Sequence, residues 1–169
     1  MSVVAPRSLD RLTSPGEDAL YPCRVLEGMR TALVLFAGAF YGRQDAVWVA
    51  RAGLRATCVD VRAEGLDAMQ AIYPADWEFA QADAYAYART WRAAGRQWDI
   101  VSVDCPSGQF DRAADEAQLW CGVARRAVVV GSGARELVAP AGWKVTGRVE
   151  RSSFLEGGVW WTVMEPGWC

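Results

Sequence analysis

Histidine is absent from all 169 residues. That absence excludes Ser–His–Asp and Cys–His nucleophile activation, imidazole general bases and His-ligated metals. Any chemistry falls to Asp, Glu, Tyr, Cys or a reactive cofactor. Lysine is nearly absent as well, with Lys144 alone beside 17 arginines. Acids balance those arginines along the chain to a net charge of −2, with no basic block, so a broad footprint for nucleic acid is not indicated. The five cysteines (Cys23, Cys58, Cys105, Cys121, Cys169) are odd in number and include no C-x-x-C pair. Neither a disulfide framework nor a metal site is suggested, and reduced, mostly buried thiols are expected. No apolar run reaches the length of about 18 residues that a membrane helix needs, so no membrane partner is expected. Met1–Asp10 lacks the apolar core of a signal peptide, which makes a cytoplasmic location the expectation.

What is present is an ordinary apolar share, 52%, in a length that suits one domain. Residues 1–15 read as a polar leader, and 16–29 as a short helix opened by Ser14-Pro15. Thr31–Phe36 is a continuous apolar run, the pattern of a strand buried on both faces. Arg43–Ala52 is helical, with Ala46, Val47, Val49 and Ala50 on its packing face and Gly53 as the glycine beyond its end. Strands follow at Arg55–Val61, Trp77–Ala80, Trp98–Val103 and Arg126–Val130; helices alternate with them at Ala63–Ile72, Ala84–Ala94 and Asp115–Ala124. Such alternation implies a parallel sheet with helices on both faces. Trp143–Glu150 and Gly158–Met164 are joined by a segment too short for a crossover helix, so they are expected to pair as an antiparallel hairpin. Side chains alternate across a strand, so Trp160-Trp161 should send one indole into the core and leave the other exposed.

In an open α/β sheet, ligands bind beyond the carboxyl ends of the strands, where the strand order reverses. The informative residues fall there. Gly38 and Gly42 bracket the first turn, and Asp60, Asp83 and Asp104 close the second, third and fourth strands. A glycine turn before a helix lets backbone approach a ligand and offers free N–H donors. Asp60 lies 18 residues past Gly42, close to the spacing at which an acid accepts from ribose hydroxyls. Asp83, next to Ala84, is placed to take an exocyclic adenine amine. Each residue also has a plain structural reading: a tight turn for Gly38, a helix N-cap for the three acids.

Over roughly residues 31–165 the chain resembles a class I SAM-dependent methyltransferase, in a small single-domain form. The residues carrying the resemblance are Val34–Gly42 (VLFAGAFYG), Asp60, Asp83, Asp104-Cys105-Pro106 and the terminal hairpin. It implies an α/β, Rossmann-like, doubly wound and mostly parallel sheet closed by a C-terminal antiparallel hairpin. The domain would span 31–169 behind the N-terminal 1–30, with S-adenosyl-L-methionine as cofactor. The implied cofactor-binding residues are Gly38, Ala39, Phe40, Gly42, Asp60, Val61, Asp83 and Ala84. The family's turn carries an acid where Phe36 stands and a middle glycine where Phe40 stands. Phe40 either crowds the methionine part of the cofactor or, with Tyr41, walls its sulfonium.

Asp104-Cys105-Pro106-Ser107-Gly108 is similar to the Asp-Pro-Pro-Tyr box of amino-methyltransferases, with Ser107 in place of the aromatic. It also resembles the Asp-Ala-Pro-Cys-Ser-Gly stretch of RNA cytosine methyltransferases, except that Cys105 precedes the proline. Asp104 is accordingly the expected catalytic residue, orienting or deprotonating an acceptor N or O. With little chain left for target recognition, the acceptor is expected to be a small molecule or one presented by a protein partner or a second copy. The competing reading is a non-catalytic methyltransferase-like assembly or structural subunit, of a kind bacteriophages encode. A nicotinamide enzyme is disfavoured, since no G-x-G-x-x-G follows the first strand.

Overall fold

A computed structural model describes residues 26, 28–133, 135–152 and 159–168, with backbone alone for 40, 41, 149–152 and 159. The expected leader and most of the short helix before residue 30 lie outside the described residues. The elements run β1 (Thr31–Leu35), α1 (Phe40–Arg51), β2 (Arg55–Asp60), α2 (Ala63–Gln70), β3 (Glu78–Gln81), α3 (Ala84–Ala93) and β4 (Trp98–Val103). A 3-10 turn (Ser107–Gln109) leads into α4 (Phe110–Asp115), α5 (Ala117–Gly122), β5 (Ala124–Ser132), β6 (Trp143–Ser152) and β7 (Val159–Pro166).

The sheet has seven strands in the order β3-β2-β1-β4-β5-β7-β6. β1 to β5 pair in parallel, while β7 runs antiparallel to both β5 and β6. This is the doubly wound sheet with a terminal hairpin that the sequence pattern implies. The order reverses between β1 and β4, whose carboxyl ends lead into the turn after Leu35 and into Asp104.

Both faces of β1 are covered, which explains its unbroken apolar run. Ala32 and Val34 face one core layer with α1 and α2, while Leu33 and Leu35 face the other with α3, α4 and α5. Residues 44–50 of α1 are buried without a break, so this helix is enclosed on nearly all sides. Its C-cap is Ala52, and Gly53 follows at a φ of +75°, where glycine alone adopts the left-handed backbone freely.

Several expected boundaries shift: the helix placed at Arg43–Ala52 spans Phe40–Arg51, and two further changes have a visible cause. The helix placed at Asp115–Ala124 begins instead at Phe110 and breaks at Glu116 into α4 and α5. No side chain caps either start, so the usual Ser/Thr/Asp/Asn signal is missing. The strand placed at Arg126–Val130 spans Ala124–Ser132. Arg125 and Arg126 lie at its solvent end and donate to the carbonyls of Gln97 and Gly28, so charge sits on the strand without entering the core.

Candidate functional site

The turn after β1 is tight, with the Ala37, Gly38 and Ala39 amides each bonded. Phe36 has a φ of +57°, the only positive value of a non-glycine among the described residues. That backbone costs a β-carbon residue about 1–2 kcal/mol. It aims the Phe36 carbonyl at the start of α1, where it accepts from the Ala39 amide at 2.9 Å. A Cβ on Gly42 would overlap that carbonyl and stand 2.7 Å from the Phe36 carbonyl carbon. Gly42 is thus required by close packing. Gly38 is held from two sides. Its amide donates to Asp60 Oδ2 at 2.9 Å, and a Cβ on Gly65 of α2 would stand 2.9 Å from the Gly38 Cα.

The three acids sit at the expected edge, but in different settings. Asp60 is 5% exposed. Its Oδ1 accepts from the Arg62 amide at 2.9 Å, so each carboxylate oxygen holds one main-chain N–H. Oδ1 also lies 3.7 Å from Arg62 Nε, so Oδ2, with one main-chain donor, keeps the clearer acceptor capacity. Val61 beside it is an exposed apolar side chain, 58% accessible. Asp83 is exposed and is the one acid of the three that caps a helix, accepting from the Ala86 amide at 2.9 Å. Asp104 is buried, at 1% exposure, and accepts from the Trp161 indole N–H at 2.8 Å. Ala39, Gly42 and Ala84 are buried at the first and third turns. The Phe40 and Tyr41 rings lie outside the described side chains.

After Asp104 the chain surfaces. Pro106, Ser107 and Gly108 are exposed, whereas Cys105 is buried. Burial, then the Asp104 charge, push the Cys105 thiol up to about 12. That rise disfavours the thiolate at neutral pH and weighs against Cys105 as a nucleophile. Across from it, burial pushes the Tyr85 phenol up to about 12, with Cys105 adding to the rise. The Arg112 guanidinium lies over the Tyr85 ring at 3.7 Å, and Phe36 meets that ring edge-on at 5.9 Å. Tyr85 Oη and Gln109 Oε1 are buried with no hydrogen-bond partner among the described residues. Orphaned polar atoms at this depth are uncommon and call for a reason.

These residues fit the adenosine half of the implied cofactor. Val61 offers an apolar face, one Asp83 oxygen is not used by its cap, and Asp60 keeps acceptor capacity for hydroxyls. Among the described residues no group of three or more His, Cys, Asp or Glu could hold a metal, and no helix is long and apolar enough to cross a membrane. A hollow of about 470 Å³ lies at the opposite sheet edge, beside Arg30, Leu54, Arg55 and Trp77, away from the row of acids. Gly65, Tyr85, Gln109 and Trp161 were not singled out as site residues from sequence. Gly65 carries a readable signal: a glycine in the first turn of a helix, costing about 1 kcal/mol against alanine, needs a packing reason.

By sequence, no protein-family model and no curated protein matches the chain. By structure, many of the neighbours are described as methyltransferases. A protein from Streptococcus mutans described as a SAM-dependent methyltransferase superposes with a TM-score of 0.66 at 15% identity, over 84% of this chain and 46% of that one. TrmN from Thermus thermophilus gives 0.64 at 16% identity, over 95% of this chain and 52% of its own. SMU.776, solved in complex with SAH, gives 0.64 at 14% identity, over 83% and 47%. The chain thus has the fold of the class I SAM-dependent methyltransferases, and spans about half the length of these three relatives.

Proposed function

We propose that the chain is a SAM-dependent methyltransferase acting on an N or O acceptor. The observation that carries this reading is the placement of Asp60, Asp83 and the Gly38–Gly42 turn around the strand-order reversal of a sheet that ends in an antiparallel β7. Nicotinamide-binding Rossmann sheets normally end in parallel strands, so the hairpin weighs against that class. The SAH complex of a neighbour with the same fold supports the choice of ligand.

In this reading Asp60 and Val61 hold the ribose and one adenine face, Asp83 accepts from the adenine amine, and Ala84 closes the third turn. Gly38, Ala39, Phe40 and Gly42 bring main chain to the methionine end. S-adenosyl-L-methionine supplies an electrophilic methyl group, so the protein needs no activated nucleophile of its own. The acceptor enters at Pro106–Gly108, the exposed turn after Asp104. Asp104, expected to orient or deprotonate the acceptor, is buried on the Trp161 indole, so in this reading it positions the start of the acceptor turn instead of meeting the acceptor directly.

The burial of Asp104 against the Trp161 indole favours a second reading, a methyltransferase-like assembly subunit without catalysis. Calorimetric titration with S-adenosylmethionine and SAH separates the two. Saturable binding supports the enzyme; no heat from folded protein at millimolar ligand would sink it.

A further inference from the structure

Strand register sets up a contact that spans two strand spacings. Gly131 of β5 pairs directly with Trp161 of β7, and Val103 of β4 pairs with Val130 of β5. Asp104 therefore stands level with Gly131, one strand away from it. A side chain on Gly131 would overlap the Asp104 carboxylate, with its Cβ 3.1 Å from Cγ. The missing side chain opens a slot across β5, and through it the carboxylate reaches the Trp161 indole at 2.8 Å. Both partners are buried, at 1% and 3% exposure.

The same indole is tied to the cofactor turn. Trp48 of α1 meets Trp161 edge-on at 5.0 Å between ring centres. Three residues earlier on α1, Asp45 accepts from the Ser102 hydroxyl of β4. The helix that starts at Gly38–Gly42, the strand that ends in Asp104 and the closing hairpin thus meet at one indole. From this convergence we infer that Trp161 is a positioning residue of the site. Its N–H holds Asp104, and through it the Cys105–Gly108 turn, in register with the cofactor turn. The role rests on the methyltransferase reading above, and it gives the terminal hairpin a duty beyond closing the sheet.

Trp161→Phe keeps a ring against Trp48 and deletes the N–H, while Asp104→Asn keeps the shape and removes the charge. A hydrogen bond to a buried charge lost from a positioned site should weaken SAH binding by about tenfold in each variant. The double variant should lose little more than either single one, since both cut the same link. In ¹H–¹⁵N spectra, the indole N–H signal that Trp161→Phe removes should shift when SAH is added to wild type and should move in Asp104→Asn. Wild-type binding with unchanged affinity in both variants and an indole signal indifferent to SAH overturns this inference alone. Wild type that does not bind SAH overturns the methyltransferase reading together with it. Should Trp161→Phe fail to fold, Asp104→Asn and the wild-type indole signal decide the question by the same criteria.

Discussion

The Gly38 amide and the Asp60 carboxylate are joined by a 2.9 Å hydrogen bond that ties the end of β2 to the turn after β1. The residue expected to receive a ribose therefore also shapes the glycine turn. Asp60→Ala is predicted to do two things: destabilise the fold by about 1–3 kcal/mol through two stranded main-chain donors, and abolish measurable SAH binding. Denaturant unfolding and calorimetry on one sample check both. Full stability without Asp60 would mean that the two amides find other partners.

Gly65→Ala separates packing from propensity. In an ordinary helix the change stabilises by up to about 1 kcal/mol. Here the new Cβ would stand 2.9 Å from the Gly38 Cα, closer than van der Waals contact allows. The expected outcome is a net loss of about 1–3 kcal/mol and weaker SAH binding. Gly108→Ala is the control, since nothing lies within 4 Å of a Cβ there. It should leave stability within about 0.5 kcal/mol of wild type.

Cys105 is predicted to be inert. With its thiol pushed up to about 12 by burial, it should resist alkylation at pH 8 in the folded protein, as should buried Cys58 and Cys121. Mass mapping of labelled peptides reads this directly. Cys105→Ala should keep SAH affinity within about twofold, a change under about 0.5 kcal/mol. Rapid labelling of Cys105 would reopen the covalent mechanism.

Asp99 anchors the start of β1 and sets part of the acid sensitivity. Burial alone would raise its carboxyl, but the Arg30 and Thr31 amides and the Arg125 guanidinium outweigh it and hold the group below its ordinary 3.8. A depressed folded value means stability that is present above pH 3.8 and is lost as pH falls toward that lower value. Asp99→Asn should destabilise by about 1–3 kcal/mol at pH 7, and the difference from wild type should shrink below pH 4. Urea midpoints measured across that range test the sign; a gap that widens in acid would contradict it.

The strand alternation and the terminal hairpin were legible because buried strands and their turns write local patterns. The run Thr31–Phe36, the strand Trp98–Val103 and the row of acids behind them needed no distant information. The Trp160-Trp161 pair followed strand geometry only in part: Trp161 is buried as expected, but Trp160 is half-buried rather than exposed, with the Arg148 guanidinium over its ring at 4.6 Å. What stayed hidden depends on neighbours far along the chain. Gly131 reads as one more small residue until Asp104 and Trp161 are placed on either side of it. Asp60 and Asp104 read alike, as acids after strands, yet register gives one a pair of main-chain amides and the other an indole. The start of α4 was missed because a 3-10 turn, rather than a capping side chain, leads into it.

Backbone hydrogen exchange with and without SAH places the ligand on the molecule. Protection is predicted at residues 36–42, 60–65 and 82–84, the three turns that meet at the carboxyl edge of β1, β2 and β3. Protection confined to the opposite edge, near Arg30, Arg55 and Trp77, or none at saturating SAH, would contradict the cofactor site drawn around Gly38 and Asp60.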